Sequence, residues 1–95
     1  MNGLTLAVIV PGGEAARVSC DTVTLTAMDG ANGQGGGSMG ILPGHIPAVI
    51  ALEPGSLVTA LSGGRPAAAV RVGGGFASVS RDVVTVICEQ AETEQ

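Results

Sequence analysis

Apolar and polar residues alternate along most of this chain with a period of two. Leu4, Leu6, Val8 and Val10 interleave with Thr5, Ala7 and Ile9, giving one aliphatic and one mixed face, the pattern of a half-buried strand. Pro11-Gly12-Gly13 ends it. Alternation resumes over Arg17–Met28 through Val18 and Cys20, then Val23, Leu25 and Ala27. Thr22, Thr24 and Thr26 take the opposite face, where threonine fits a pleated surface. Short apolar runs follow at Ala48–Leu52, Leu57–Leu61, Ala67–Val72, Phe76–Val79 and Val83–Cys88. Glu53-Pro54-Gly55, Ser62-Gly63-Gly64, Gly73-Gly74-Gly75 and Arg81-Asp82 separate them as turns. No segment before the C-terminal tail sustains a 3.6 period. The pattern predicts an all-β sandwich or barrel of short antiparallel strands. Residues 1–90 read as one domain, and 91–95 as a solvated acidic tail continuing from Glu89 through Glu92 and Glu94.

Two segments break the alternation. Asp29–Ser38 is rich in glycine and reads as a flexible loop. Gly40-Ile41-Leu42-Pro43-Gly44-His45-Ile46-Pro47 packs two glycines, two prolines and the only histidine between apolar residues. Proline fixes φ and removes a donor, and glycine opens positive φ, so this stretch reads as a shaped turn that holds His45 in place.

Composition narrows the chemistry. The cations are Arg17, Arg65, Arg71 and Arg81, with no lysine, which excludes phosphate-loop, Schiff-base and cofactor-attachment lysines. A net charge of −4 and a single aromatic, Phe76, argue against nucleic acid as a partner. Gly35, Gly37 and Gly40 spell GxGxxG, but Pro43-Gly44 follows at once and leaves no helix to receive a pyrophosphate. No Asp, Glu or Cys lies between Ser38 and Leu52, so His45 has no sequence neighbour for a metal site. Cys20 and Cys88 form no CxxC pair and read as buried thiols of a reducing compartment. The N-terminus has no secretory signal pattern, and the longest apolar runs, Leu4–Pro11 and Ile46–Leu52, are too short to cross a bilayer. The aliphatic excess in so small a chain predicts apolar surface left for a partner.

The Gly40–Pro47 block, the short apolar strand after it and Glu53-Pro54-Gly55 resemble the epsilon subunit of F-type ATP synthases. A second block, Gly74-Gly75-Phe76 through Val79 to Val83-Val84-Thr85-Val86, is similar to that family's GGF…VTV stretch. The two blocks match in order and spacing, and the resemblance runs from Leu4 to Glu92. It implies a flattened ten-stranded β-sandwich. It also implies a non-catalytic rotor subunit that clasps the gamma subunit, rests on the membrane c-subunit ring and transmits torque beneath the F1 catalytic head. Contacts with gamma and the c-ring would come from Asp29, Ser38, Met39, Ile41, Leu42, Pro43, Gly44 and His45. Gly40, Pro47, Pro54, Gly55, Gly74 and Gly75 would shape turns. The expected setting is the cytoplasmic side of a bacterial inner membrane, peripheral and without insertion. No catalytic residue, metal, cofactor or bound nucleotide is expected.

This sequence departs from the family pattern at three places. Ser38 stands where an acidic residue usually faces the c-ring, and Asp29 is the candidate substitute. The Asp29–Ser38 loop is longer than usual. The C-terminal helices of many members, which bind ATP or inhibit hydrolysis, are not expected here, because the sequence ends just after its last strand. Two competing classes stand beside the resemblance: a free-standing β-sandwich interaction module, and a Cys–His hydrolase in which His45 meets Cys20 or Cys88.

Overall fold

A computed structural model describes residues 3–28 and 37–94 of the chain. The strands are β1 (Leu4–Val10), β2 (Gly13–Cys20), β3 (Thr22–Ala27), β4 (Gly37–Ile41) and β5 (Ala48–Leu52). After them come β6 (Leu57–Ser62), β7 (Arg65–Val72), β8 (Gly75–Ser80), β9 (Val83–Cys88) and β10 (Ala91–Glu94). They join in the order β10-β7-β6-β3-β5-β8-β9-β1-β2, with β4 on the other edge of β3. The link between β3 and β5 is the single register pair Ala27–Leu52. The sheet folds over at that link into two layers, and β2 returns to pack against β6 and β7. The molecule measures 36 × 29 × 21 Å, the flattened shape of a two-layer sandwich.

The period-two pattern explains the core. Leu4, Leu6 and Val8 of β1, Val23 and Leu25 of β3, Val58 and Ala60 of β6, Val70 and Val72 of β7 and Val84 and Val86 of β9 point between the layers and are buried. Ile41, Leu52, Ala77, Val79 and both cysteines complete the cluster. No polar or charged residue is buried among the described residues. The core is held by aliphatic packing, and hydrogen bonding is left to the strand ladders and turns.

Four expectations need correction. The run Arg17–Met28 is two strands, because the alternation changes phase at Asp21. Cys20 and Val23 both face inward, and the chain crosses from one layer to the other between them. The end of the glycine-rich loop is strand β4, which needs no bulky side chains because Ile41 and Met39 supply the inward positions at a sheet edge. The sequence 91–94 is not a solvated tail but β10, paired antiparallel with β7. Ala91 and Thr93 sit opposite Val72 and Val70, and the two glutamates face outward. Finally, the strands are not all antiparallel: β1 runs parallel to β9, with Leu6 opposite Val84 and Val8 opposite Val86.

One end of the sandwich gathers the connections that matter for function. Gly3 donates to the Cys20 carbonyl, Asp21 donates its amide to Leu61, and Thr5 donates to Asp82. The N-terminus, the β2–β3 corner, the β6–β7 turn and the β8–β9 turn therefore meet there. The Leu42–Pro47 segment joins them.

Candidate functional site

Leu42–His45 is a tight turn closed by the His45 amide donating to the Leu42 carbonyl at 3.1 Å. Pro43 supplies the fixed φ of the first corner, and Gly44 takes φ +85° at the second, which a side chain would oppose. The Pro43 ring lies so close to Gly3 that an added Cβ on Gly3 would sit 2.7 Å from its Cγ. The Gly44 amide donates to Asp82 Oδ1 at 2.8 Å, tying the turn to the β8–β9 hairpin. Leu42, Pro43, Ile46 and Pro47 are exposed, Ile46 to 74 %. His45 is half-buried, and its Nδ1 lies 2.7 Å from the Ile46 carbonyl. That carbonyl can only accept, so Nδ1 donates to it and Nε2 is the ring nitrogen left for another partner.

The expected contact residues do not form one continuous loop. Ser38 is exposed at the start of β4, and Leu42 follows its end, about 13 Å further along at strand rise. Ser38 and His45 therefore lie toward opposite ends of the sandwich. Met39 is half-buried against the core. Ile41 is 0 % exposed and packs inside, so it has no surface to offer a partner. The inward phase of β4, set by the pairing of Ile41 with Val23, is the reason. Gly40 faces outward on β4, and Asp29 lies outside the described residues. At the far end, Pro54 and Gly55 (φ +81°) form a turn closed by Ser56 donating to Glu53. Gly74 and Gly75 have φ +113° and +140° where β8 begins.

A second surface was hidden in the strand pattern. On the outward face of the β5-β8-β9-β1-β2 layer, Ala51 lies opposite Phe76, Phe76 opposite Ile87, and Ile87 opposite Ile9. Phe76 and Ile87 keep two-fifths of their surface exposed, and Val49 beside them keeps 73 %. Met28, also exposed, adjoins the row by donating its amide to Ala51. Among the described residues of these strands, charge on this face appears at the β2 rim, where Arg17 Nε pairs with Glu14 Oε1 at 2.9 Å. The signal available in the sequence was the placement of Val49, Phe76, Ile87 and Ile9 at the outward phase of their strands. Asp82 was legible only as a turn residue, because its partner Gly44 is distant along the chain.

The cysteines are inert by placement. Cys20 pairs with Leu4 at one end of β1, and Cys88 donates weakly to Ile9 near the other. That separation is about 17 Å along β1, far beyond disulfide reach. Burial first, and the neighbouring carboxylates of Asp21 and Glu89 second, push both thiols above their ordinary range. Nucleophilic use needs the reverse, a depressed pKa and access. No group of metal-ligating side chains assembles among the described residues, and no helix among them is long and apolar enough to cross a membrane. Two surface grooves among the described residues lie elsewhere, one lined by Gly55, Arg71, Gln90 and Glu92, the other by Leu57, the Pro66–Ala69 stretch and Glu94.

Residues 3–94 match the family described as ATP synthase, Delta/Epsilon chain, beta-sandwich domain. The ATP synthase epsilon chain of Anoxybacillus flavithermus is 34% identical over 92 residues, covering 97% of this chain and 62% of that protein. The epsilon chain of Parasynechococcus marenigrum is 39% identical over 89 residues, covering 94% and 59%. This chain thus spans about three-fifths of the length of those two relatives. The epsilon chain of Frankia casuarinae is 34% identical over 89 residues, covering 94% of this chain and 95% of that protein. Among solved structures, the mitochondrial ATP synthase of Euglena gracilis, seen by cryo-EM as OSCP/F1/c-ring in rotational state 1, contains a similar chain. Its TM-score is 0.77 at 23% identity, covering 98% of this chain and 54% of that one, a likeness of fold.

Proposed function

The chain belongs to the ATP synthase delta/epsilon family, of which it carries the β-sandwich domain, and from that premise we propose that it is an epsilon-type rotor subunit of an F-type ATP synthase. In this reading it performs no covalent step. It holds the gamma subunit, rests on the c-ring and passes torque between them while the F1 head makes ATP at the expense of ion flow. It sits at the cytoplasmic side of a bacterial inner membrane through its partners.

The observation that supports this reading is the uncharged row Ala51–Phe76–Ile87–Ile9 with Val49 beside it. A sheet face that keeps Val, Phe and Ile in water gains free energy when a partner covers it. We assign this face to gamma, together with the Leu42–Pro47 turn. The two prolines and the closed turn leave that segment little freedom to lose on docking. Ser38, at the far end of β4, is assigned to the c-ring side. Its hydroxyl makes a neutral hydrogen-bonding contact where relatives of the acidic pattern make a charged one. Because Ser38 and His45 lie toward opposite ends, one rigid sandwich can touch two partners at once.

Val49→Glu tests the gamma assignment, since Val49 is largely exposed and its replacement leaves the core intact. The variant should keep the far-UV circular dichroism of the unaltered chain and bind the cognate gamma subunit about tenfold or more weakly in titration calorimetry. Unchanged affinity would falsify the assigned face. Failure of the unaltered chain to bind gamma at all would overturn the rotor reading.

A further inference from the structure

We infer that Asp82 is a positioning residue: its carboxylate sets the Leu42–Pro47 turn and so determines which ring nitrogen His45 offers to a partner. As a statement about docking, this rests on the rotor reading above; as a statement about the turn, it stands on geometry alone.

The β8–β9 connection is a two-residue turn whose central residues, Arg81 and Asp82, both take positive φ, +53° and +61°. Glycine or asparagine would hold that conformation more easily, and the β6–β7 turn uses Gly63 and Gly64 at φ +62° and +80°. An aspartate tolerates the left-handed region, though less well than glycine does. Here it has a task that glycine lacks. Its Oδ1 accepts the Gly44 amide at 2.8 Å, across 38 residues of sequence. Its own carbonyl accepts the Thr5 amide at 3.0 Å, which fixes Asp82 against β1. The carboxylate is therefore presented from a rigid frame to a turn that has few other means of attachment. Pro43 and Pro47 carry no N–H, and the His45 amide is used inside the turn.

The consequence reaches the histidine. With Gly44 held, His45 stands where Nδ1–H meets the Ile46 carbonyl at 2.7 Å, and Nε2 is the nitrogen left for a partner. In the Nδ1–H tautomer Nε2 is an acceptor, so the turn then fits a partner group that donates, an N–H or O–H. Losing the Asp82 contact frees the turn and lets His45 exchange tautomers.

Asp82→Gly removes the carboxylate while easing the backbone, and Asp82→Asn keeps an acceptor at the same place. In Asp82→Gly the Gly44 amide should exchange with solvent about tenfold faster, and affinity for gamma should fall by about the same factor. The 15N shifts of the His45 ring should move from a single Nδ1–H tautomer toward a mixture. Asp82→Asn should restore most of all three, and neither variant should lower the melting temperature by more than a few degrees. If Gly44 exchange and the His45 shifts are the same in Asp82→Gly as in the unaltered chain, the inference is wrong. If they move while gamma affinity does not, positioning by Asp82 stands and the docking role of the turn is what fails. Should Asp82→Gly not fold, acid titration of the unaltered chain decides: the Gly44 amide proton must shift in step with the Asp82 carboxyl carbon. A Gly44 signal that ignores that protonation overturns the inference.

Discussion

A methyl group at position 75 would run into the carbonyl oxygen of Ile87 and the backbone of Cys88, because β8 begins hard against β9 there. The residue also holds φ +140°. Gly40 is the opposite case: an added Cβ would meet only the Thr22 methyl, at 4.0 Å. Gly75→Ala should therefore cost about 2–4 kcal/mol in urea unfolding. Gly40→Ala should stay within about 0.5–1 kcal/mol of the unaltered chain. Equal effects would show that contact with β9 is not what position 75 requires. Both residues looked alike in the sequence, as glycines in a shaped stretch, because the distinction depends on which strand lies alongside. The Pro43-Gly44 turn was legible, since proline and glycine prescribe their own dihedral angles. Ile41 was read as a surface residue by its neighbourhood to that turn, yet strand phase carries it inside. Asp82 could not be read as a tether at all, because nothing near it along the chain announces Gly44.

The corners between strands are held by side chains that reach across elements. Asp21, at the β2–β3 corner, accepts the Gly63 amide of the β6–β7 turn at 2.8 Å and the Thr22 hydroxyl at 3.0 Å. The Gly63 amide first, and the Thr22 hydroxyl second, hold its carboxyl below the ordinary 3.8. The charged form is favoured in the fold, so its contribution is complete above 3.8 and disappears as pH falls through the lower folded value. Asp21→Asn should then unfold at lower urea than the unaltered chain at pH 7, and the two midpoints should converge as the pH drops below that range. A gap that persists in acid would mean the corner is held by something other than the carboxylate. The corner marks where the strand pattern was hardest to follow. A phase shift between Cys20 and Val23 was present in the sequence, but an unbroken run of strand-forming residues covered it. β4 and β10 escaped for compositional reasons. Gly37-Ser38-Met39-Gly40-Ile41 looks like loop, and Ala91-Glu92-Thr93-Glu94 looks like tail, although each places its inward residues at alternate positions. Edge strands tolerate such composition because one side of their backbone needs no ladder.

Across the whole molecule, the apolar positions were enough to define an all-β sandwich or barrel, and the resemblance supplied the choice of sandwich and its strand number. The pairing order was not accessible, because period two says which face is buried and not which strand is the neighbour. That order makes β1 the meeting point of early and late sequence, antiparallel to β2 and parallel to β9. Loops must close over most of the chain before those contacts form. Refolding after stopped-flow dilution should accordingly proceed on the order of milliseconds to seconds, followed by far-UV circular dichroism. Relaxation in microseconds would contradict so non-local a topology. The same arrangement governs how the protein is made. A ribosome releases β1 first, and β2 soon covers one of its edges. The other edge, flanked by Leu6 and Val8, stays open until Val83–Cys88 has cleared the exit tunnel. Local pairs such as β1–β2 and β6–β7 can form as the chain emerges, but the β1–β9 pairing must wait. Until β9 is available the newborn chain carries a strand with one open edge that a chaperone can shelter.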